Sequence, residues 1–416
     1  MLQRQVVNKQ YVYYKQGNDY ILINTENGKW YCFDQIENLN ECVSDLTNAS
    51  IDSKWKNLLS KCGFFRPVDE YSNPTLHLHL TNKCNLRCPH CYMRAESGLD
   101  NELSADEFKK LISDFKKVGG KRVIFSGGEI SLVKEVVSII KHAKSLGLYT
   151  LIITNGTLWN SEDIISVASH VDCVQVSIDG YDEKSNAKIR GATSFGKALQ
   201  CMDAFIKAGA ETLMTVTPLY GFENEIDKYI EFGKRMVDQY ADKPFYVVFN
   251  DNLSKGRSID PNPEKNELYY QATLKILEGI YPGYKLDEFW HSHKEPVQNC
   301  GYGKIAVDSD GQFAFCTSVK DVHIIGNVRT MSMEEIFSKS NELARLTSVN
   351  SILPCKKCDF KYICGGGCRI DHFIDVEKIG AESAGFVIKK KVPCTTDVFE
   401  KYLDLMCLSA KKHQQL

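Results

Sequence analysis

Hydrophobic and polar positions change rhythm three times along this 416-residue chain. In residues 1–70, YVYYK (from Tyr11), DYILIN (from Asp19) and KWYCF (from Lys29) are rich in aromatic and β-branched residues, which predicts three strands. Thr25-Glu26-Asn27-Gly28 joins the last two, and its Asn-Gly favours a hairpin turn. DQIENLNECVSDL and SKWKNLLSKCGFF then space apolar residues as helices do. Strands followed by helices in so short a stretch predict a small winged-helix-like module.

From Thr75 strands alternate with helices. The strand candidates are LHLHL (from Leu76), RVIFS (from Arg122), YTLIIT (from Tyr149), CVQVSI (from Cys173), TLMTVTP (from Thr212) and FYVVFN (from Phe245). Between them lie helical stretches such as SADEFKKLISDFKKVG and LVKEVVSIIKHAKSLG, each closed by a glycine. Six βα-like units without a GxGxxG dinucleotide motif predict an α/β fold, a partial (β/α)6 TIM-like barrel over residues 75–250. Its active site would gather at the C-terminal ends of the strands. Residues 251–299 read as a linker with one bridging helix. From Cys300 to the end, the chain is cysteine- and glycine-rich, predicts only short elements, and needs staples or metal to fold.

Composition narrows the class. The chain is 43% hydrophobic and 25% charged with a net charge of -2, so neither nucleic acid nor an anionic membrane is expected as its main partner. No apolar run approaches the roughly 20 residues of a membrane-spanning helix. The N-terminus lacks a secretory signal, so a cytoplasmic location is expected. In that reducing compartment sixteen cysteines point to metal or catalysis rather than disulfides. Six of them (Cys32, Cys42, Cys62, Cys173, Cys201, Cys407) sit among apolar residues and read as core filler. The other ten fall into spaced sets.

The first set closes the strand LHLHL: Cys84-x3-Cys88-x2-Cys91. Three thiolates on one loop can hold a four-iron cluster while leaving the fourth iron open for a chelating substrate. A zinc loop or three free thiols is the alternative, although structural zinc usually takes four protein ligands and no fourth lies nearby. This spacing after the first strand resembles the radical S-adenosylmethionine (SAM) superfamily. The resemblance implies SAM on the open iron and its reductive cleavage to a 5′-deoxyadenosyl radical. Further positions fit it. Gly127, Gly128 and Glu129 resemble the family's GGE motif at the second strand end, with the glycines letting backbone approach the ligand and Glu129 accepting from the methionyl ammonium. Thr154 and Asn155 after the third strand, and Ser177 and Asp179 after the fourth, resemble polar contacts to SAM. Arg190 matches the arginine that pairs the SAM carboxylate. His90 stands where the family places a residue against the adenine, and Leu213 is a packing candidate for that base. Taken alone, each would read as an ordinary cap, charge or core residue.

The C-terminal set, Cys300-x10-Gly311-x4-Cys316 with Cys355, Cys358, Cys364, Cys368 and Cys394, resembles the SPASM iron–sulfur domain. A zinc ribbon would explain Cys355-x2-Cys358 but not all seven. The resemblance implies two auxiliary 4Fe–4S clusters, three with the SAM-binding one. Cys300, Cys316 and Cys368 would hold the first, and Cys355, Cys358, Cys364 and Cys394 the second. Two departures matter. HSHKEPVQN, just before Cys300, has no eighth cysteine, which leaves the first auxiliary cluster one thiolate short. Sulfatase-maturating relatives carry an aspartate directly after the second auxiliary cysteine, where this chain has Thr317. The N-terminal module resembles the PqqD-like recognition element of maturases for ribosomally made peptides, whose third strand and last helix capture a precursor's leader; here that strand holds Trp30, Tyr31 and Phe33. Together these imply an oxidoreductase that takes hydrogen from a precursor peptide and installs a crosslink, foremost a cysteine thioether. A carbon–carbon crosslink, sulfatase-type maturation, or a non-catalytic iron–sulfur or zinc protein are the alternatives. An external electron donor such as flavodoxin or ferredoxin would serve it.

Overall fold

The computed structural model describes residues 3–48, 53–69, 74–253, 255–293, 295–317, 324–374, 388–391 and 393–413. The boundary expected near residue 70 lies outside them. Contacts divide the chain into two compact units: residues 73–282 with 303–340, and residues 1–72 with 283–302 and 341–416.

In the second of these units, four strands form an antiparallel sheet in sequential order: β1 (Gln3–Val6), β2 (Tyr11–Gln16), β3 (Asp19–Asn24) and β4 (Trp30–Phe33). Three were expected; β1 is an additional edge strand with four exposed residues, so its sequence carries no apolar alternation. The Asn-Gly hairpin forms between β3 and β4, closed by Asn24 N–H donating to the Lys29 carbonyl at 2.8 Å. Helices α1 (Ile36–Thr47) and α2 (Lys54–Lys61) follow, and Ser53 caps α2 by accepting from Lys56 N–H. Leu22, Phe33, Leu39, Trp55, Leu59 and Phe64 form the core between this pair and the sheet. Val12, Tyr14, Ile21 and Ile23 cluster instead with Phe289 of α10 (Tyr284–Ser292), Phe360, and Leu403 and Met406 of the helix Thr396–His413. Both sheet faces are therefore apolar. Of the six cysteines read as core filler, Cys62 is exposed. It caps the C-terminus of α2, beyond the reach of that core.

The other unit carries the parallel strands β5 (Thr75–His79), β6 (Arg122–Ser126), β7 (Tyr149–Thr154), β8 (Cys173–Ser177), β9 (Glu211–Val216) and β10 (Phe245–Phe249). Each pairs with the next in register, for example Leu78 with Phe125 and Val176 with Met214. Helices α3 (Ala105–Lys117), α4 (Val136–Ser145), α5 (Ser161–Ala168), α6 (Glu183–Arg190), α7 (Ser194–Lys207), α8 (Ile226–Gln239) and α9 (Pro263–Ile280) alternate with or follow them. The start of α3 shows the local logic: Ser104 and Glu107 form a reciprocal capping box ahead of buried Phe108, Leu111, Ile112 and Phe115. The sheet stays open, as a partial barrel does, and β11 (Ile305–Val307) adds to its β5 edge in parallel, followed by β12 (Gln312–Ala314) and β13 (Gly326–Asn327). The region after Cys300 is not limited to short elements. It holds helices of 14 and 18 residues, Met333–Leu346 and Thr396–His413, because MEEIFSKSNELARL and VFEKYLDLMCLSAKK repeat apolar residues at helical spacing. Among the described residues no helix is long and apolar enough to cross a membrane.

Leu22 is fully buried in the α1–α2 core. Leu22→Ala is expected to destabilise that unit by about 2–5 kcal/mol. Denaturant unfolding followed by tryptophan fluorescence checks this, because Trp30 and Trp55 lie in the same unit.

Candidate functional site

The cysteine loop leaves β5 and is tied down at both ends. Leu80 N–H donates to the Ser126 carbonyl at 2.8 Å, Gly128 N–H to that of Thr81 at 2.7 Å, and Glu129 N–H to that of Lys83 at 2.8 Å. At the far end Cys84 N–H donates to the Glu96 carbonyl, and Glu96 N–H to that of Asn82. Within the loop, Cys91 N–H donates to the Cys88 carbonyl, and Leu86 N–H reaches the Cys84 sulfur at 3.4 Å. The two glycines serve this lacing. Gly127 has φ +143°, and a Cβ there would meet the Thr81 carbonyl at 2.6 Å; a Cβ on Gly128 would overlap the Lys83 carbonyl. They admit the cysteine loop, where the sequence had suggested close approach to a ligand.

All three thiols line one cavity of about 320 Å3 at the C-terminal strand ends, with His90, Gly127, Gly128, Thr154, Asn155, Ser177 and Arg190. Ten of the thirteen expected contact residues are thus brought together around one space. Glu129, Asp179 and Leu213 are not among its lining. The Glu129 carboxylate is buried and accepts from Ser131 N–H and Oγ, from Thr154 Oγ at 2.6 Å and from Asn155 N–H at 2.7 Å. It braces the end of β6 against the end of β7. Asn155 in turn donates from Nδ2 to Asn85 Oδ1 at 3.0 Å, beside Cys84.

Asp179 is fully buried beneath the cavity. Its Oδ1 accepts from Thr217 N–H at 2.9 Å, and its Oδ2 lies 2.6 Å from Arg190 Nε and 3.4 Å from His90 Nε2. The Arg190 contact is an ion pair whose angle does not suit a hydrogen bond. Burial opposes the Arg190 charge, but Asp179 and the nearby Cys88 more than offset it, so its pKa rises. His90 is pushed the other way by burial, which keeps it neutral, and its Nδ1 has no partner among the described residues. Burial likewise raises Cys84, and Cys88 to about 11. Leu213 is half-buried on β9; Gln175, its register partner on β8, lines the cavity.

Other lining residues carried no motif. Tyr92, next to Cys91, faces the cavity and hydrogen-bonds His79 Nε2 at 3.1 Å, while His79 Nδ1 holds Asp308 at 2.7 Å. His77 Nε2 meets Ser126 Oγ at 2.5 Å, and burial holds His77 neutral. The available signal was LHLHL itself: two histidines on one face of an otherwise apolar strand need buried partners. Thr317 and Asn250 also line the cavity, with Asn250 Nδ2 donating to Thr217 Oγ at 2.6 Å.

Cys355, Cys358, Cys364 and Cys394 border a second cavity, about 620 Å3, in the unit of the N-terminal sheet. Asp359, beside Cys358, accepts from Arg4 Nε and Tyr14 Oη, both at 2.6 Å. After Cys364 the chain turns through Gly365, Gly366 and Gly367, all at φ between +65° and +82°, a run that residues with a Cβ would resist. Arg369, fully buried, donates to the carbonyls of Thr347, Gly365 and Gly367. Cys300 and Cys368 are neighbours in that unit; the Cys368 hydrogen bond, with Arg369 close by, pulls Cys300 well below the usual thiol range. Cys316 follows β12 in the other unit. Among the described residues no three His, Cys, Asp or Glu side chains converge as they would on a single ion. The donor sets instead border cavities with room for a larger group, and seven thiols with unpartnered polar atoms at one of them fit thiolate-ligated clusters and a polar co-substrate.

Comparison with known proteins gives the same picture. The radical SAM superfamily matches residues 78–233, and the SPASM iron-sulfur cluster-binding domain matches residues 299–359. A PqqA peptide cyclase of Bradyrhizobium diazoefficiens is 37% identical over 309 residues, covering 71% of this chain and 81% of the relative. An AdoMet-dependent heme synthase of Methanosarcina barkeri is 26% identical over 313 residues, 70% of this chain and 89% of the relative. Among solved structures, anSMEcpe with bound AdoMet superposes with a TM-score of 0.55 at 16% identity, covering 81% of this chain and 97% of that one. Streptococcus suis SuiB gives 0.52 at 15% identity, covering 94% and 100%.

Gly128→Ala is expected to push the loop off the β6 turn. Iron analysis after anaerobic reconstitution should show a loss of about four irons per chain. Cys88→Ala should abolish formation of 5′-deoxyadenosine from SAM, measured by chromatography, whereas Cys358→Ala should retain it and lose peptide product.

Proposed function

Because this chain belongs to the radical SAM enzymes that carry a SPASM iron–sulfur domain, we propose that it is a peptide maturase that closes a crosslink within a ribosomally made precursor. The observation that carries this is the pairing of two sites. Three thiols of one loop border a polar cavity at the C-terminal strand ends, and four more border a second cavity in the other unit. The 37% identity to a PqqA peptide cyclase supports a peptide as substrate.

Cys84, Cys88 and Cys91 would hold the SAM-binding 4Fe–4S cluster; Cys355, Cys358, Cys364 and Cys394 an auxiliary one; and Cys300, Cys316 and Cys368 the other. Bound there, the first cluster would supply one-electron reductive cleavage of SAM, the chemistry by which a hydrogen atom could be taken from the peptide. The chain's own residues do the positioning. Arg190, charged and fixed by Asp179, offers a cation to the SAM carboxylate. Neutral His90 presents its free Nδ1 beside Cys91 for the adenine side. Glu129 keeps the ends of β6 and β7 in register, so the backbone of Gly127, Gly128 and Asn155 faces the co-substrate in one shape. The ammonium contact first given to Glu129 would then fall to groups that line the cavity.

The bond formed is read as a cysteine thioether, supported by the missing eighth cysteine before Cys300, which leaves room at that cluster for a substrate sulfur. Sulfatase-type maturation has less support, because Thr317 stands at the cavity and, among the described residues, no carboxylate lines it. We place the enzyme in the cytoplasm, with the precursor's leader on β4 and α2 and a flavodoxin or ferredoxin as electron donor. Strand β4 suits leader capture because it ends its sheet and can accept an added strand.

Mass spectrometry of a co-expressed precursor tests the reading. Loss of two hydrogens per linkage with blocked cysteine alkylation is expected. The same mass loss with cysteines still alkylatable would assign a carbon–carbon bond, and an unmodified precursor would reject the peptide reading.

A further inference from the structure

The four-thiol cavity holds a cation that no cysteine pattern announces. Lys390 Nζ donates to Cys394 Sγ at 3.0 Å, and the same ammonium lies within the electrostatic reach of Cys364 and Cys355. Its place is set by the backbone. Lys390 pairs with Phe373, whose ring centre is 6.0 Å from the ammonium, and its N–H donates to the Leu353 carbonyl at 3.0 Å, two residues before Cys355. Both flanks of the cysteine loop therefore hold the lysine against it. Lys390 is half-buried, so its ammonium is held at the thiols rather than free in solvent. Of the other three cations at the cavity, Arg4 pairs with Asp359, Lys361 lies over the Tyr362 ring, and Lys357 is exposed.

We propose that Lys390 is a positioning residue for electron transfer, its charge and N–H···S bond raising the reduction potential of the cluster held by Cys355, Cys358, Cys364 and Cys394. The proposal rests on reading that cavity as a cluster site. A thiolate-ligated cluster becomes more negative when it gains an electron. A fixed cation and a hydrogen bond to its sulfur stabilise that reduced form more than the oxidised one. The cluster thereby becomes a better acceptor for the electron released when the crosslink closes.

Lys390→Met removes charge and donor, Lys390→Gln removes the charge alone, and Lys390→Arg keeps both. Each is reconstituted without oxygen as the full chain and titrated electrochemically with electron paramagnetic resonance detection. In the Met and Gln variants one cluster should move to a more negative midpoint while the others stay, and crosslinked product per 5′-deoxyadenosine should fall; Arg should restore the midpoint. Unmoved midpoints in iron-replete Met and Gln variants would overturn the proposal, as would loss of about four irons in both, which would make Lys390 a folding determinant. Wild-type protein with about eight irons instead of about twelve would overturn the cluster reading itself, and that outcome is visible before any variant is compared.

Discussion

Three thiols can act as one ligand set only if a single short loop is held open at the right curvature, and a loop has no internal ladder to do this. Here the restraint comes from the neighbouring strand end. The amides of Gly128 and Glu129 donate to the carbonyls of Thr81 and Lys83, which fixes the loop's first limb just before Cys84. The approach is so close that a Cβ on either glycine would collide with that limb. Glu129, sitting next in sequence, uses its carboxylate to carry the same restraint sideways to Thr154 and Asn155. A motif that resembles a ligand contact is therefore first a brace between three strand ends.

Charge at the site follows from the same compactness. Asp179 has no access to water, and its carboxylate is held by Arg190 and the Thr217 amide. That pair leaves the guanidinium at the cavity wall, already oriented. Beneath the cysteines, His77, His79, Asp308 and Ser126 satisfy one another in an otherwise apolar layer. Because Asp308 follows β11, this polar layer also depends on the strand that extends the parallel sheet past β5.

The unit containing the N-terminal sheet repeats the theme with different parts. Asp359 joins β1 and β2 to the cysteine turn through Arg4 and Tyr14, and Lys390 is held against Cys394 by Phe373 and Leu353. In the leader-capture reading, the sheet that would bind peptide and the turn that would bind a cluster share hydrogen bonds. Gly365 to Gly367 supply the left-handed run that lets Cys364 and Cys368 face different partners.

Much of this was legible in the residues alone. Alternation and helical spacing placed the six strands β5 to β10 close to their observed bounds, because a strand covered by helices on one side must be apolar there whatever its neighbours. Cysteine spacing picked out the seven thiols that border the two cavities, since groups on one loop are neighbours in sequence as well as in space. What stayed hidden depended on residues far apart in the chain. β1 has no apolar face to advertise it, and β11 joins the parallel sheet across more than two hundred residues. The supporting contacts of Glu129 and Asp179 were not legible either, because burial, not identity, decides which carboxylate is held by its neighbours. His79 with Asp308, and Lys390 with Cys394, are pairings that exist only once the chain is folded. A sequence states which groups are present at which spacing; packing alone decides which of them meet, which lose water, and which are left facing the open space.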